Sequence, residues 1–222
     1  MDKDEVLSWL KKKGTRAAVE GMARYGIVAE HAFGVTMATL LKLAKELGTD
    51  HELSLALWES GWYEARLLAA LVGDPQRVTR RQMNAWASGF ENWADCDTVC
   101  FKLFDRTPFA WEKVHQWASS PREFVKRGAF ALMACLALHD KAAPDEQFLA
   151  MLPLIENGAQ DERNFVKKGV NWGCAPSGGA MLHSTQPRSP WLSGWRFRRK
   201  RRPDGWGKTR SGSWPVRKCE PS

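Results

Sequence analysis

Apolar residues in this chain recur every three to four positions, in short runs that each end at a glycine, a proline or a capping residue. Met37, Leu40, Leu41, Ala44 and Leu47 mark one face of a 3.6-residue period. Gly48 ends that run, and Asp50 stands where a helix N-cap is needed for the next. Asp74-Pro75 interrupts the chain again, and Thr79 is placed to cap a helix beginning at Arg80. The pattern predicts helices over residues 6–13, 16–25, 36–47, 51–60, 63–72, 80–88, 92–104, 109–117, 122–139, 145–156 and 163–172. Nowhere do apolar and polar residues alternate as in a half-buried strand. Short helices joined by short connections define an all-α array of helix pairs.

A short repeat sharpens that expectation. Phe124-Val125-Lys126-Arg127-Gly128 returns 41 residues later as Phe165-Val166-Lys167-Lys168-Gly169. This period suits a two-helix HEAT-type unit, and stacked units form an ARM-type α-α superhelix. A plain helical bundle is the alternative that two five-residue copies leave open.

Charge divides the chain at Trp172. Residues 173–222 hold eleven of the 33 Lys and Arg residues but only two of the 25 acids, Asp204 and Glu220. The first 172 residues are therefore nearly neutral, with 22 basic and 23 acidic side chains. The formal net charge of +8 belongs to the last segment and is not by itself a nucleic-acid footprint of the helical part. That segment has six of the eleven prolines, seven of the eighteen glycines and no helical or strand period, a composition that predicts disorder. Two domains are expected, a helical one over 1–172 and a basic tail over 173–222.

Other classes are disfavoured. Five cysteines without a paired CxxC spacing read as core thiols in a reducing compartment. The five histidines show neither HxxxH nor HExxH spacing, so no metal and no cofactor is expected. The N-terminus lacks an apolar signal region and no stretch reaches membrane-spanning length, which suggests a soluble, cytoplasmic protein without a membrane partner.

The segment Glu91-Asn92-Trp93-Ala94-Asp95-Cys96-Asp97 carries the most chemistry. Trp93 and Asp97 are one helical turn apart and share a face. An indole beside a carboxylate can hold a cationic or electron-poor ligand. On these residues alone, a core tryptophan beside a solvated helix acid is the competing account.

In its wider setting the chain resembles the AlkD-like DNA alkylation repair family. The resemblance is carried by Trp58-Glu59-Ser60-Gly61-Trp62-Tyr63-Glu64-Ala65-Arg66-Leu67-Leu68-Ala69, then Asp74-Pro75, Trp86, and Asn92-Trp93 through Asp97. Lys126-Arg127 and Phe165-Val166-Lys167-Lys168-Gly169-Val170-Asn171-Trp172 complete it, over about residues 34–172. It implies a superhelix of HEAT-like repeats with a DNA-binding face. It further implies a monomeric, monofunctional glycosylase that removes cationic N3- or N7-alkylated purines from double-stranded DNA without flipping the base. By the same resemblance Asp97 matches the catalytic carboxylate, and Trp93 and Trp172 match aromatics that pack on the lesion's sugar and backbone. Arg127 matches a phosphate-contacting arginine, with Lys126 its nearest alternative. Lys167 and Lys168 are weaker phosphate candidates, as are Arg80 and Arg81. A non-enzymatic HEAT-repeat module that binds DNA or protein is the other function this fold can serve.

After Trp172 the family continues with another helical pair, whereas this chain reads Gly173-Cys174-Ala175-Pro176-Ser177-Gly178. Loss of one C from a codon series TGG-GCG-CTG-CGC yields TGG-GGC-TGC, which encodes Trp-Gly-Cys. A shifted reading frame after Trp172 is therefore expected, against the alternative of a genuine basic, Trp-containing tail able to bind nucleic acid. Resequencing the coding DNA across codons 172–174 distinguishes the two.

Overall fold

The computed structural model describes residues 1–174, and six of its helices begin where a side chain satisfies a free N–H group of the first turn. Asp2 and Glu5 form a reciprocal capping box on α1 (Lys3–Lys13), and Thr15 caps α2 (Arg16–Ala23). Thr36 caps α3 (Met37–Leu47), Asp50 caps α4 (His51–Glu59), and α5 (Tyr63–Val72) comes after them without a side-chain cap. Thr79 caps α6 (Arg80–Ser88), and Asn92 with Asp95 forms a second capping box on α7 (Trp93–Lys102). A 3-10 turn (Phe104–Arg106), α8 (Ala110–Trp117) and the long apolar α9 (Glu123–His139) come next. The chain then forms α10 (Asp145–Leu149), α11 (Leu152–Ala159) and α12 (Asn164–Cys174). No strand occurs among the described residues.

Several bounds differ from the sequence expectation: α1 begins at Lys3 rather than at residue 6, and α2 ends at Ala23 rather than at residue 25. The single helix expected over 145–156 is two, α10 and α11. Pro153 has no N–H to donate and sits in the first turn of α11, where none is required. The helix expected over 92–104 ends at Lys102, and the chain tightens into the 3-10 turn. The last helix runs past Trp172 to Cys174. The expectations of disorder and a shifted frame cover residues 173–222; Gly173 and Cys174 are helical rather than disordered, and residues 175–222 lie outside the described residues.

The helices pack in two rows. In one, α5 packs on α7, α7 on α9, and α9 on α12. In the other, α4 backs α5, α6 and α8 back α9, and α11 backs α12. Between the rows lies one apolar core that includes Leu57, Leu68, Met83, Val99, Phe104, Phe130 and Leu132. Trp58 and Trp86 stack at 4.2 Å between ring centroids, and both are buried. Cys96, Cys100 and Cys135 are free and buried, as core thiols. Rows can approach this closely only where a side chain is missing. A Cβ on Gly158 would lie 2.3 Å from Phe130 Cζ and 2.9 Å from Val170 Cγ2, so glycine is required where α11 meets α9 and α12.

The α2–α3 connection crosses the N-terminal ends of the first row. The Glu64 carboxylate, fully buried on α5, accepts hydrogen bonds from the N–H groups of Phe33 (2.8 Å), Gly34 (2.6 Å) and Val35 (3.1 Å). Tyr63 N–H donates to the His31 carbonyl at 2.9 Å. Further along the row, Trp93 Nε1 donates to the Tyr25 carbonyl at 2.9 Å.

Candidate functional site

The first turn of α7 sets the orientation of the whole site. The Asn92 side-chain oxygen accepts from the N–H groups of Ala94 (2.9 Å) and Asp95 (3.2 Å). The Asp95 carboxylate reaches back to the N–H groups of Glu91 (3.0 Å), Asn92 (3.2 Å) and Cys96 (2.6 Å). Asp95 is thus a buried cap and faces away from Asp97, as helical geometry predicts for residues two apart. Burial raises its pKa to about 6, against the opposing pull of those three N–H donors. Trp93 and Asp97 are left on the other face, both half-buried.

Asp97 is not a solvated helix acid. Arg127, on α9, grips it with both edges of a fork: Nε to Oδ1 at 2.8 Å and Nη2 to Oδ2 at 2.6 Å. The third arm of the same guanidinium, Nη1, donates to the Phe165 carbonyl on α12 at 2.8 Å. Only 7% of the Arg127 side chain is exposed, whereas 19% of the Asp97 side chain remains open. Burial pushes the Asp97 carboxyl up, and the Arg127 hydrogen bonds and charge push back. One arginine therefore ties together the helices that carry Asp97 and Trp172.

The remaining candidates, Arg80 and Arg81 on α6 excepted, fall on the same row. Trp172, on α12, is half-buried and packs against the core. Lys126 is paired with Asp161 at 2.9 Å, and Arg163 holds the same carboxylate at 2.6 Å. Asp161 is accordingly kept well below the usual carboxylate range, first by Arg163. Lys167 pairs with the exposed Glu162 at 2.7 Å, and Lys168 is exposed with its ammonium 5.5 Å from the Phe165 ring centroid. Phe124 and Phe165, which open the two copies of the repeat, are themselves in contact at 5.4 Å. Arg80 lies apart, paired with Glu112 at 2.7 Å and set over the Phe109 ring, and its neighbour Arg81 is exposed.

Two contributors were not assigned from sequence. The Phe165 carbonyl, a partner of Arg127, is a backbone atom with no residue signature. The connection through Tyr25 and Gly34 is the other, and its signal was the acid Glu64 in the otherwise apolar face of α5, which needs donors when buried.

Comparison with known proteins places these features. A solved structure described as "A new family of proteins related to the HEAT-like repeat DNA glycosylases with affinity for branched DNA structures" superposes with a TM-score of 0.70 at 20% identity. The superposition covers 78% of this chain and 74% of that one, so the fold is a HEAT-like helical repeat array. No curated protein matches the chain. Residues 6–173 match the family described as "DNA alkylation repair enzyme", and the chain belongs to that family. No described helix is long and apolar enough to cross a membrane.

Proposed function

We propose that this protein is a DNA glycosylase that removes cationic N3- or N7-alkylated purines from double-stranded DNA without flipping the base. The supporting observation is Asp97: a carboxylate one turn from Trp93, with 19% of its side chain exposed, and tied through Arg127 to the helix that bears Trp172. An alkylated purine already carries positive charge, so the glycosidic bond can break with its electron pair leaving on the base as a neutral molecule. Positive charge then accumulates on the deoxyribose. The exposed part of Asp97 offers that charge a fixed anion, and it can orient the water that adds to the sugar carbon and loses a proton. Trp93 and Trp172 supply flat apolar surfaces for the sugar and backbone. Lys126, Lys167 and Lys168 are the proposed phosphate contacts on this row, and Lys126 and Lys167 would exchange a carboxylate partner for phosphate.

The test is release of 3-methyladenine or 7-methylguanine from methylated duplex DNA by wild type and by Asp97→Asn. Release that Asp97→Asn abolishes supports the reading, and release unchanged in the variant removes Asp97 from the reaction. A second reading, a DNA-binding module without glycosylase activity, is favoured by the bidentate pairing of Asp97 and by the branched-DNA affinity of the related family. Tight binding of duplex or branched DNA with no base release would select it.

A further inference from the structure

A cleft of about 500 Å³ opens at the C-terminal end of α9. It stands well away from the candidate site: His139 follows Arg127 by 12 residues, roughly 18 Å along the helix. Asp105 and Thr107 line it from the 3-10 turn and its exit, Trp111 from α8, and Leu136, His139 and Asp140 from the end of α9. The free carbonyls at a helix C-terminus carry partial negative charge and favour a cation. Two carboxylates stand there instead. The Asp105 side chain is fully buried, pairs through Oδ2 with His139 Nδ1, and leaves Oδ1 without a hydrogen-bond partner among the described residues. Burial pushes its carboxyl up, against the opposing pull of His139 and Arg106. Asp140 accepts from Trp111 Nε1 at 3.0 Å and from the Ala143 N–H at 3.1 Å, which fixes its orientation while each oxygen keeps a lone pair.

The cleft is rich in acceptors and has spent its donors. With Nδ1 turned to Asp105, a neutral His139 presents the Nε2 lone pair, and Nε2 makes no hydrogen bond among the described residues. The imidazole is held in place by the edge-on Phe101 ring at 4.8 Å, and the indole of Trp111 by Phe148 at 4.9 Å. The Trp111 N–H is used by Asp140, and the Thr107 hydroxyl donates to the Phe104 carbonyl at 2.7 Å. Among the lining side chains, only Arg106 and Gln76 at the exposed rim bring unspent N–H groups. Arg106 is 54% exposed, with Nε 4.0 Å from Asp105 Oδ1. The neighbouring Lys141 is turned back to the Ala137 carbonyl at 3.5 Å.

We propose that this cleft binds an organic cation bearing N–H groups, a guanidinium above all. Its planar fork donates to His139 Nε2 and to the Asp140 carboxylate, and its face lies on the Trp111 ring. Asp105 acts from behind, as a positioning residue that fixes the His139 tautomer and adds negative charge. This site does not rest on the glycosylase reading, and its test does not use base release.

The test is titration of the whole protein with methylguanidinium chloride, followed by the NMR signals of the Trp111 indole N–H and the His139 imidazole. Sodium chloride at equal ionic strength is the reference. Saturable shifts of both signals are expected, with the indole signals of Trp58 and Trp86 unmoved. Tetramethylammonium has the charge but no N–H and is expected to bind at least about tenfold more weakly. Asp140→Asn is expected to weaken methylguanidinium binding about ten- to hundredfold. Arg106→Gln, an exposed change that removes the neighbouring cation, is expected to tighten it about two- to fivefold, and it decides the matter if Asp140→Asn melts early. Shifts that stay linear in concentration or arise equally with sodium chloride, equal binding of tetramethylammonium, or weaker binding in Arg106→Gln overturn the proposal. N-acetyl-arginine amide as a second probe identifies the source of the cation. Binding at least about tenfold tighter than methylguanidinium assigns an arginine side chain of a partner protein, and equal binding assigns a free small cation.

Discussion

Asp97 and Arg127 are energetically inseparable. Each is largely removed from water, and each holds the other through two hydrogen bonds. Arg127→Ala leaves a mostly buried carboxylate without its counter-charge and is expected to cost about 3–5 kcal/mol in urea denaturation. Asp97→Asn/Arg127→Met, which removes both charges, is expected to cost clearly less, and equal losses in the two variants would show that packing outweighs charge at this site. In the glycosylase assay Asp97→Asn is expected to slow base release by about 100- to 1,000-fold, the range found when a preorganised electrostatic stabiliser is removed.

At the scale of single elements, the first turn of α7 and the α2–α3 connection are the parts on which the site depends. The pKa of Asp95 lies near 6 in the folded protein and near 3.8 without burial. The folded state therefore binds this proton more tightly, so its contribution to stability is fully present below pH 3.8 and is lost as pH rises through about 6. Asp95→Asn is expected to flatten that part of the stability–pH profile, as measured by thermal melts between pH 4 and 7. In the connection, Glu64 satisfies three consecutive N–H groups. Glu64→Gln is expected to speed hydrogen exchange at Gly34 and Val35 while leaving the amides of α9 protected. Where α11 crosses α9, Gly158→Ala would press a methyl into Phe130 and is expected to cost about 1–3 kcal/mol. Helix starts were readable because caps are local: Thr36, Asp50 and Thr79 each bond an N–H three residues on. The division between α10 and α11 was missed because the apolar pattern continues across it, and only Pro153 marks the restart.

Across the whole molecule, the near-neutral helical part must concentrate its positive charge to hold a polyanion. Lys167 and Lys168 lie together on α12, on the row that carries Asp97. Replacing both with alanine is expected to lower the salt slope of duplex binding by about two, with unaltered melting temperature, and an unaltered slope would move the DNA path elsewhere. By itself the sequence determined most of the helices, their order and the face on which Trp93 and Asp97 lie, because propensity, capping and periodicity act within a few residues. Tertiary structure alone decided that Asp97 would be gripped by Arg127, Arg127 by Phe165, Trp93 by Tyr25, and residues 33–35 by Glu64. These partners stand about 30 to 70 residues apart, and hydrogen bonds depend on distance and angle in space, which stacking of the rows sets and sequence spacing does not.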